Sequence, residues 1–394
     1  MKKPELLIPI NSIAGIKTAE KAGADAVYFG VNFNSNMRTS NISLDDLKKL
    51  KKFKVKKYLT INSIYYDIQL ENLEKLILIT KDFVDAYICW DVAAIQLLRK
   101  YNLPFFVSTQ ASVTNAETAK FYKDLGAKKI VLARELTLEQ IKKIKEEADI
   151  PVEVFIHGSM CMAISGRCFI SQDLFKKSAN RGQCLNNCRR EYIIKDKQEG
   201  QEMILGEDYI LNAKDLCALP FIDKLIEAGI DSFKVEGRNK KEDYVKVITE
   251  AYREAIDAYF DGKLDDKLKN KLMEKLKTVY HREFNQGFFF GQPIDSFSNT
   301  TGSKATKKKV FIGKVINYLD KNKVAIIEVQ ANPLKVKDTI LVIGPTTGTV
   351  EENIDSMEIE HNKVKEVKKG LVGIKFKNKV RSNDEVYLWE EIEK

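Results

Sequence analysis

Short runs of apolar and β-branched residues alternate with longer stretches in which apolar positions recur every three or four residues. The short runs are Leu6 to Ile10, Ala26 to Gly30, Lys57 to Asn62, Ala86 to Trp90, Phe105 to Thr109, Lys129 to Ala133, Val152 to Ile156 and Ser232 to Glu236, and they predict eight strands. The longer stretches, such as Ser12 to Ala22, Ser43 to Phe53, Leu70 to Asp82, Asn115 to Leu125 and Thr137 to Glu147, predict helices between them. Ser12, Ser43, Asn115 and Thr137 stand where N-caps are needed, since their side chains can accept from amides that the first helical turn leaves free. Strand and helix in alternation give a parallel sheet covered by helices. A polar residue stands just past almost every strand: Asn11, Asn62, Asp91, Gln110, Arg134, Glu135, His157 and Arg238. Residues from so many strand ends converge only if the sheet closes, so the expected fold is α/β, a parallel TIM-like β/α barrel with its site at the C-terminal mouth. An open, doubly wound sheet is the structural rival.

The spacing breaks between the seventh and eighth strands, where an excursion of about 158–231 far exceeds an ordinary βα loop and implies a functional segment. After Arg238 a helical pattern runs through Tyr259, a lysine-rich one follows to about Tyr280, and Phe284 to Gly291 turns the chain. From Lys307 the period changes again. Val310 to Val315, Val324 to Val329, Thr339 to Ile343, Leu371 to Phe376 and Glu385 to Leu388 read as short strands of a small β-barrel. The expected domains are thus 1–300, the barrel with its insertion and helical extension, and 307–394, a module that either packs on the core or another subunit or contacts RNA.

Composition narrows the class. Apolar residues make up 44% and charged residues 31%, a profile that excludes a disordered chain. The apolar run after Met1 is too short for a signal segment and none approaches a membrane span, so the expectation is a cytoplasmic protein with no membrane partner. A net charge of +9 favours anionic partners, although the lysines of Lys48 to Lys54 also read as a solvated helix face.

The cysteines change the picture most. Five of the six, Cys161, Cys168, Cys184, Cys188 and Cys217, fall in the excursion, whereas Cys89 sits in an apolar run and reads as core. In a reducing compartment such clustering points to metal binding or catalysis rather than to disulfides. Only Cys184 and Cys188 have the close spacing favoured by structural zinc, and the wider gaps suit an iron-sulfur cluster gripped by a wrapped loop; both remain open on spacing.

Several motifs together resemble the collagenase-like peptidases, peptidase family U32. They include Gly23-Ala24-Asp25-Ala26-Val27-Tyr28, Ser108-Thr109-Gln110, Leu132-Ala133-Arg134-Glu135-Leu136, His157-Gly158, Ser165-Gly166-Arg167-Cys168, Asn180-Arg181-Gly182, Cys188-Arg189, Lys214-Asp215-Leu216 and Phe233-Lys234-Val235-Glu236-Gly237-Arg238. The tail similarly resembles that family's C-terminal domain, which is like the second domain of elongation factor Tu. Some members of the family hydroxylate RNA or ubiquinone precursors without oxygen, bind a 4Fe-4S cluster and act on tRNA or rRNA nucleosides, with prephenate implicated as hydroxyl source. By motif, the resemblance implies Cys161, Cys168, Cys184 and Cys217 as cluster ligands, with Cys188 the nearest competitor. The chain departs from the family at Ile8-Pro9-Ile10-Asn11 and across Asn32 to Thr39.

Within that reading His157 and Glu236, at strand ends flanking the excursion, are the proton-transfer candidates; Arg134 and Arg238 would clamp carboxylates and Gln110 would orient the substrate. Each also has a structural reading as a wall residue or ion pair. Two other classes compete. A peptidase would use Cys161 beside His157, yet the chain has three histidines and neither a His-Glu-x-x-His nor a Gly-x-Ser-x-Gly motif. A non-catalytic assembly protein would hold a structural cluster.

Overall fold

The computed structural model describes residues 2–32, 42–161, 163–181, 183–190, 192–205, 212–237, 239–292, 297–298 and 302–392. Arg238 and most of the Asn32 to Thr39 stretch lie outside them.

Strands β1 (Glu5–Pro9), β2 (Ala26–Phe29), β3 (Lys56–Thr60), β4 (Ala86–Cys89), β5 (Phe105–Val107), β6 (Lys129–Val131) and β7 (Val152–Ser159) pair in parallel in chain order. Within the excursion, β8 (Tyr192–Lys195) and β9 (Glu202–Leu205) form a hairpin, and β10 (Asp215–Cys217) runs antiparallel to β7. Strand β11 (Ser232–Val235) then pairs in parallel with both β7 and β1, which closes an eight-stranded barrel and excludes the open sheet. Strand β12 (Phe284–Asn285) adds to the free side of β10.

The expected caps operate. Ser12, Asn115 and Thr137 accept from Gly15, Thr118 and Gln140 amides to open α1 (Ile13–Lys21) and two later helices, Ala116–Asp124 and Leu138–Ala148. Ser43 also caps, but it opens a tight turn ahead of a single helical turn, Leu47–Leu50. The extension forms two helices, Glu242–Phe260 and Asp266–Lys277, and the first buries Tyr244, Ile248, Tyr252 and Ile256 along one stripe.

Strand alternation divides the core. Leu6 and Ile8 face the helices with the main cluster, while Leu7, Tyr28, Tyr58, Ile88 and Phe106 fill the barrel lumen. Below the mouth the lumen also holds ions. Lys129 Nζ donates to Glu5 at 2.7 Å and to Glu153 at 2.8 Å, and Lys234 Nζ donates to the other oxygen of Glu153 at 3.0 Å. Glu153 is fully buried; burial pushes its carboxyl up, but Lys129 and Lys234 outweigh that and hold it at about 2.

Residues 307–392 form an antiparallel β region with its own core around Ile312, Ala325, Ile327, Val342 and Val386. Its strands pair mainly in one eight-stranded antiparallel sheet, with a two-stranded one beside it. It docks on the barrel's helices through Thr18 and Thr349 hydroxyls 3.0 Å apart and through Lys309 with Asp243 at 2.6 Å. Among the described residues, no helix is long and apolar enough to cross a membrane.

Candidate active site and cysteine cavity

A cavity of about 330 Å³ opens at the C-terminal mouth of the barrel, above the lumen ions. Asn62, Gln110, Arg134, Glu135 and Glu236, all just past strand ends, line its wall, and Lys234 rises into it from β11. Asn62 Nδ2 donates to Gln110 Oε1 at 3.2 Å, and Ser108 hydrogen-bonds the same oxygen, so the Gln110 amide is held from two strands. Arg134 lies 3.8 Å from the Phe155 ring centroid and donates to Ser159 O at 2.7 Å. That stack fixes the guanidinium plane, and Arg134 has no ion pair among the described residues.

Four thiols form a neighbouring cavity. Cys161, Cys168, Cys184 and Cys188 line a space of about 240 Å³ whose remaining wall is mostly small or apolar, with Ala163, Gly166, Ala179 and Ile170 beside Ser171 and Asn187. Cys161, Cys184 and Cys188 also line the barrel-mouth cavity, so the thiols stand between the two spaces. The excursion reaches this shape through local hydrogen bonds. Asn180 accepts from the Cys168 amide at 3.0 Å, Ser171 accepts from the Leu185 amide at 3.0 Å, and Tyr192 donates to Asn187 O at 2.9 Å. Arg189 anchors the loop by donating to Ala213 O and Met160 O, both at 2.5 Å. Arg167 donates twice to Gln110 O, at 3.1 and 2.6 Å, tying the loop to the end of β5.

Two backbone amides point at sulfurs of the cavity. The Ile170 amide points at Cys168 Sγ and the Asn186 amide at Cys184 Sγ, each at 3.4 Å. Burial pushes the Cys188 thiol up, Arg189 opposes it, and Cys161, Cys184 and Cys168 push the same way as burial. Among the described residues no three His, Cys, Asp or Glu side chains are placed around a single metal ion. Four thiols lining one cavity match in number and chemistry the donor set that an iron-sulfur cluster takes.

Two expected residues are placed elsewhere. Cys217 is buried at the end of β10, with Sγ 3.7 Å from Tyr252 Oη and 3.7 Å from Met273 Sδ, and burial pushes its thiol up to about 11. It pairs across from His157 on the helix side of β7, so Cys188, not Cys217, is the fourth thiol at the cavity. His157 does not line the mouth either. The β7–β11 register skips a residue between Phe155 and His157, a bulge that leaves Phe155 facing the cavity and turns His157 toward the helices. There Nδ1 lies 3.2 Å from Tyr252 Oη, and burial, with a smaller push from His281, brings the ring down to about 3, so it is neutral at physiological pH. The next residue, Gly158, has φ +101°, and a Cβ there would meet Glu236 O at 2.4 Å. That close approach holds Glu236 at the rim, where its carboxylate faces the mouth.

Gln110, Arg134 and Glu236 are therefore brought together, and Arg238 lies outside the described residues. Asn11 and Asp91 have structural roles: Asn11 donates to Lys240 O, and Asp91 caps the helix Val92–Lys100. Lys234 and Arg189 were missed as site residues. The signal for Lys234 was its place in a strand otherwise apolar, and for Arg189 its position beside Cys188.

The peptidase family U32 model matches residues 11–298. The chain belongs to this family. A "Collagenase" of Porphyromonas gingivalis is 36% identical, with 99% of this chain and 98% of that protein covered. A "tRNA hydroxylation protein P1" of Bacillus subtilis is 31% identical over 95% of this chain and 92% of its own length. A 23S rRNA 5-hydroxycytidine synthase of Escherichia coli is 40% identical over 65% of this chain and 40% of its own length. Members of family U32 thus carry names of two chemistries, and the site geometry bears on which this chain performs. The thiol and imidazole that a cysteine peptidase needs together are separated: Cys161 faces the cavity, whereas His157 is bonded to Tyr252 behind β7.

Proposed function

We propose that this chain is an iron-sulfur-dependent hydroxylase that modifies a nucleoside of tRNA or rRNA without oxygen. The observation that carries the proposal is the four-thiol cavity sharing a wall with the barrel-mouth cavity. Cys161, Cys168, Cys184 and Cys188 would hold a 4Fe-4S cluster, which when bound supplies electron-transfer chemistry beside the substrate.

The chain's own groups bind and orient. Arg134, fixed by Phe155 and Ser159, presents its free guanidinium edge to an acidic co-substrate, for which prephenate is the proposed hydroxyl source. Lys234, held by Glu153, adds a cation at the floor. Gln110, locked by Asn62 and Ser108, presents amide donors to a base edge or carbonyl. Glu236 holds or takes a proton at the rim, and His157, neutral and behind the strand, supports the wall. The net charge of +9 favours RNA as the macromolecular partner. The C-terminal β region, proposed to resemble the second domain of elongation factor Tu, would add to the RNA contact from its seat on α1.

The test is mass spectrometry of nucleosides from tRNA and rRNA of a deletion strain. Loss of one hydroxylated nucleoside, restored by the wild-type gene and not by Cys168→Ser, is the expected result. An unchanged profile together with cleavage of denatured collagen that stops in Cys161→Ser would replace this reading by the peptidase one.

A further inference from the structure

A smaller cavity of about 80 Å³ adjoins the barrel mouth across a wall formed by Ser159, Cys184, Arg189 and Glu236. Lys240, Tyr280 and Arg282 line it further, with Asn186, Gly237 and Asn239. Three cations, Arg189, Lys240 and Arg282, face one carboxylate on that wall, Glu236, while Asp215 lies 3.8 Å behind Arg189. Neither Lys240 nor Arg282 has an ion pair among the described residues. The Lys240 ammonium rests 2.9 Å from the Tyr280 ring centroid, and Arg282 Nε is buried with no hydrogen-bond partner there. Burial is the main cause that brings Lys240 down to about 8; Asp215 and Glu236 oppose it, and Arg282 and Arg189 add to it. Three cations against the single carboxylate of Glu236 leave the concavity net positive, and two of them, Lys240 and Arg282, have no carboxylate partner of their own among the described residues, the arrangement that recognises an anion. Size limits the choice, because 80 Å³ has room for about two to three waters, enough for one compact group and too little for a nucleobase.

We propose that this cavity binds a single oxyanion, a phosphate or carboxylate group, carried by the molecule that fills the barrel mouth. Anchoring the anion between Lys240 and Arg282 sets the rest of that molecule against the wall that carries Cys184. The inference rests on the barrel mouth being the substrate site and not on the hydroxylation chemistry.

The experiment is calorimetric titration of inorganic phosphate into the anaerobically purified full chain at fixed ionic strength, for wild type, Lys240→Gln and Arg282→Gln. Phosphate should bind the wild type, and affinity should fall about 10-fold or more in Lys240→Gln, the loss expected for one charge-assisted hydrogen bond. The thermal midpoint of that variant without phosphate should stay at the wild-type value. If Lys240→Gln does not fold, Arg282→Gln is read the same way. Equal affinity in wild type and a folded variant, or no binding to wild type, overturns the proposal. Competition identifies the source: displacement of phosphate by a short single-stranded RNA assigns a backbone phosphate, and displacement by succinate alone assigns a small carboxylic acid. Displacement by neither overturns the site as a substrate anchor. Because the readout needs no turnover, a failed nucleoside assay leaves this site standing, and a failed titration leaves the hydroxylase reading standing.

Discussion

Replacing Glu153 by Gln removes the one fully buried carboxylate that bridges Lys129 and Lys234 in the barrel lumen. Lys129 keeps Glu5 at 2.7 Å, so the larger loss falls on Lys234. Removing one partner of a buried ion pair costs about 3–5 kcal/mol, because the remaining charge stays desolvated. The pH dependence gives a second estimate. Glu153 is held at about 2 against an ordinary 4.5, which corresponds to about 3 kcal/mol at neutral pH. The carboxyl is depressed in the folded state, so its contribution is complete above about 4.5 and is lost as pH falls toward about 2. Urea unfolding of wild type and Glu153→Gln at pH 7 and pH 3.5 reads this directly. The stability gap should be about 3–5 kcal/mol at pH 7 and smaller by roughly 1 kcal/mol at pH 3.5. A gap below about 1 kcal/mol at pH 7 would refute the reasoning, since a solvated surface pair costs that little. So would a gap that widens as the pH falls.

Other consequences are read by different assays. His157 is depressed to about 3 from 6.5, so the unfolded chain binds the proton first and stability falls as pH drops below 6.5; by pH 5 this amounts to about 2 kcal/mol, and urea midpoints of His157→Gln should show a flatter slope over that range. An equally steep slope in the variant would assign the effect elsewhere. Arg134→Lys keeps the charge but loses the planar stack on Phe155, so hydroxylation by purified enzyme should fall about 10- to 100-fold with iron content unchanged. Activity within about 2-fold of wild type would remove Arg134 from the substrate site.

The barrel was legible because its outward strand positions are apolar and its helices begin at side chains that cap, as at Ser12, Asn115 and Thr137. Gln110, Arg134 and Glu236 were legible for the same reason, since a residue just past a barrel strand has little choice but the mouth. His157 fails that rule through one extra residue in β7, and a bulge leaves no mark in the local pattern. Cys217 and Cys188 were ordered by motif, while the choice between them depends on the antiparallel pairing of β10 with β7, a contact between distant segments. Lys129, Glu153 and Lys234 read as polar interruptions of strands, and only closure of the barrel shows that they satisfy one another.

The most direct test of the central claim is iron and acid-labile sulfide per chain in protein purified without oxygen, for wild type, Cys188→Ser and Cys217→Ser. The account predicts about four of each in wild type, close to that in Cys217→Ser, and loss of the brown absorption band in Cys188→Ser. Retention of iron in Cys188→Ser with loss in Cys217→Ser would contradict the four-thiol cavity, and colourless wild-type protein would contradict the cluster itself.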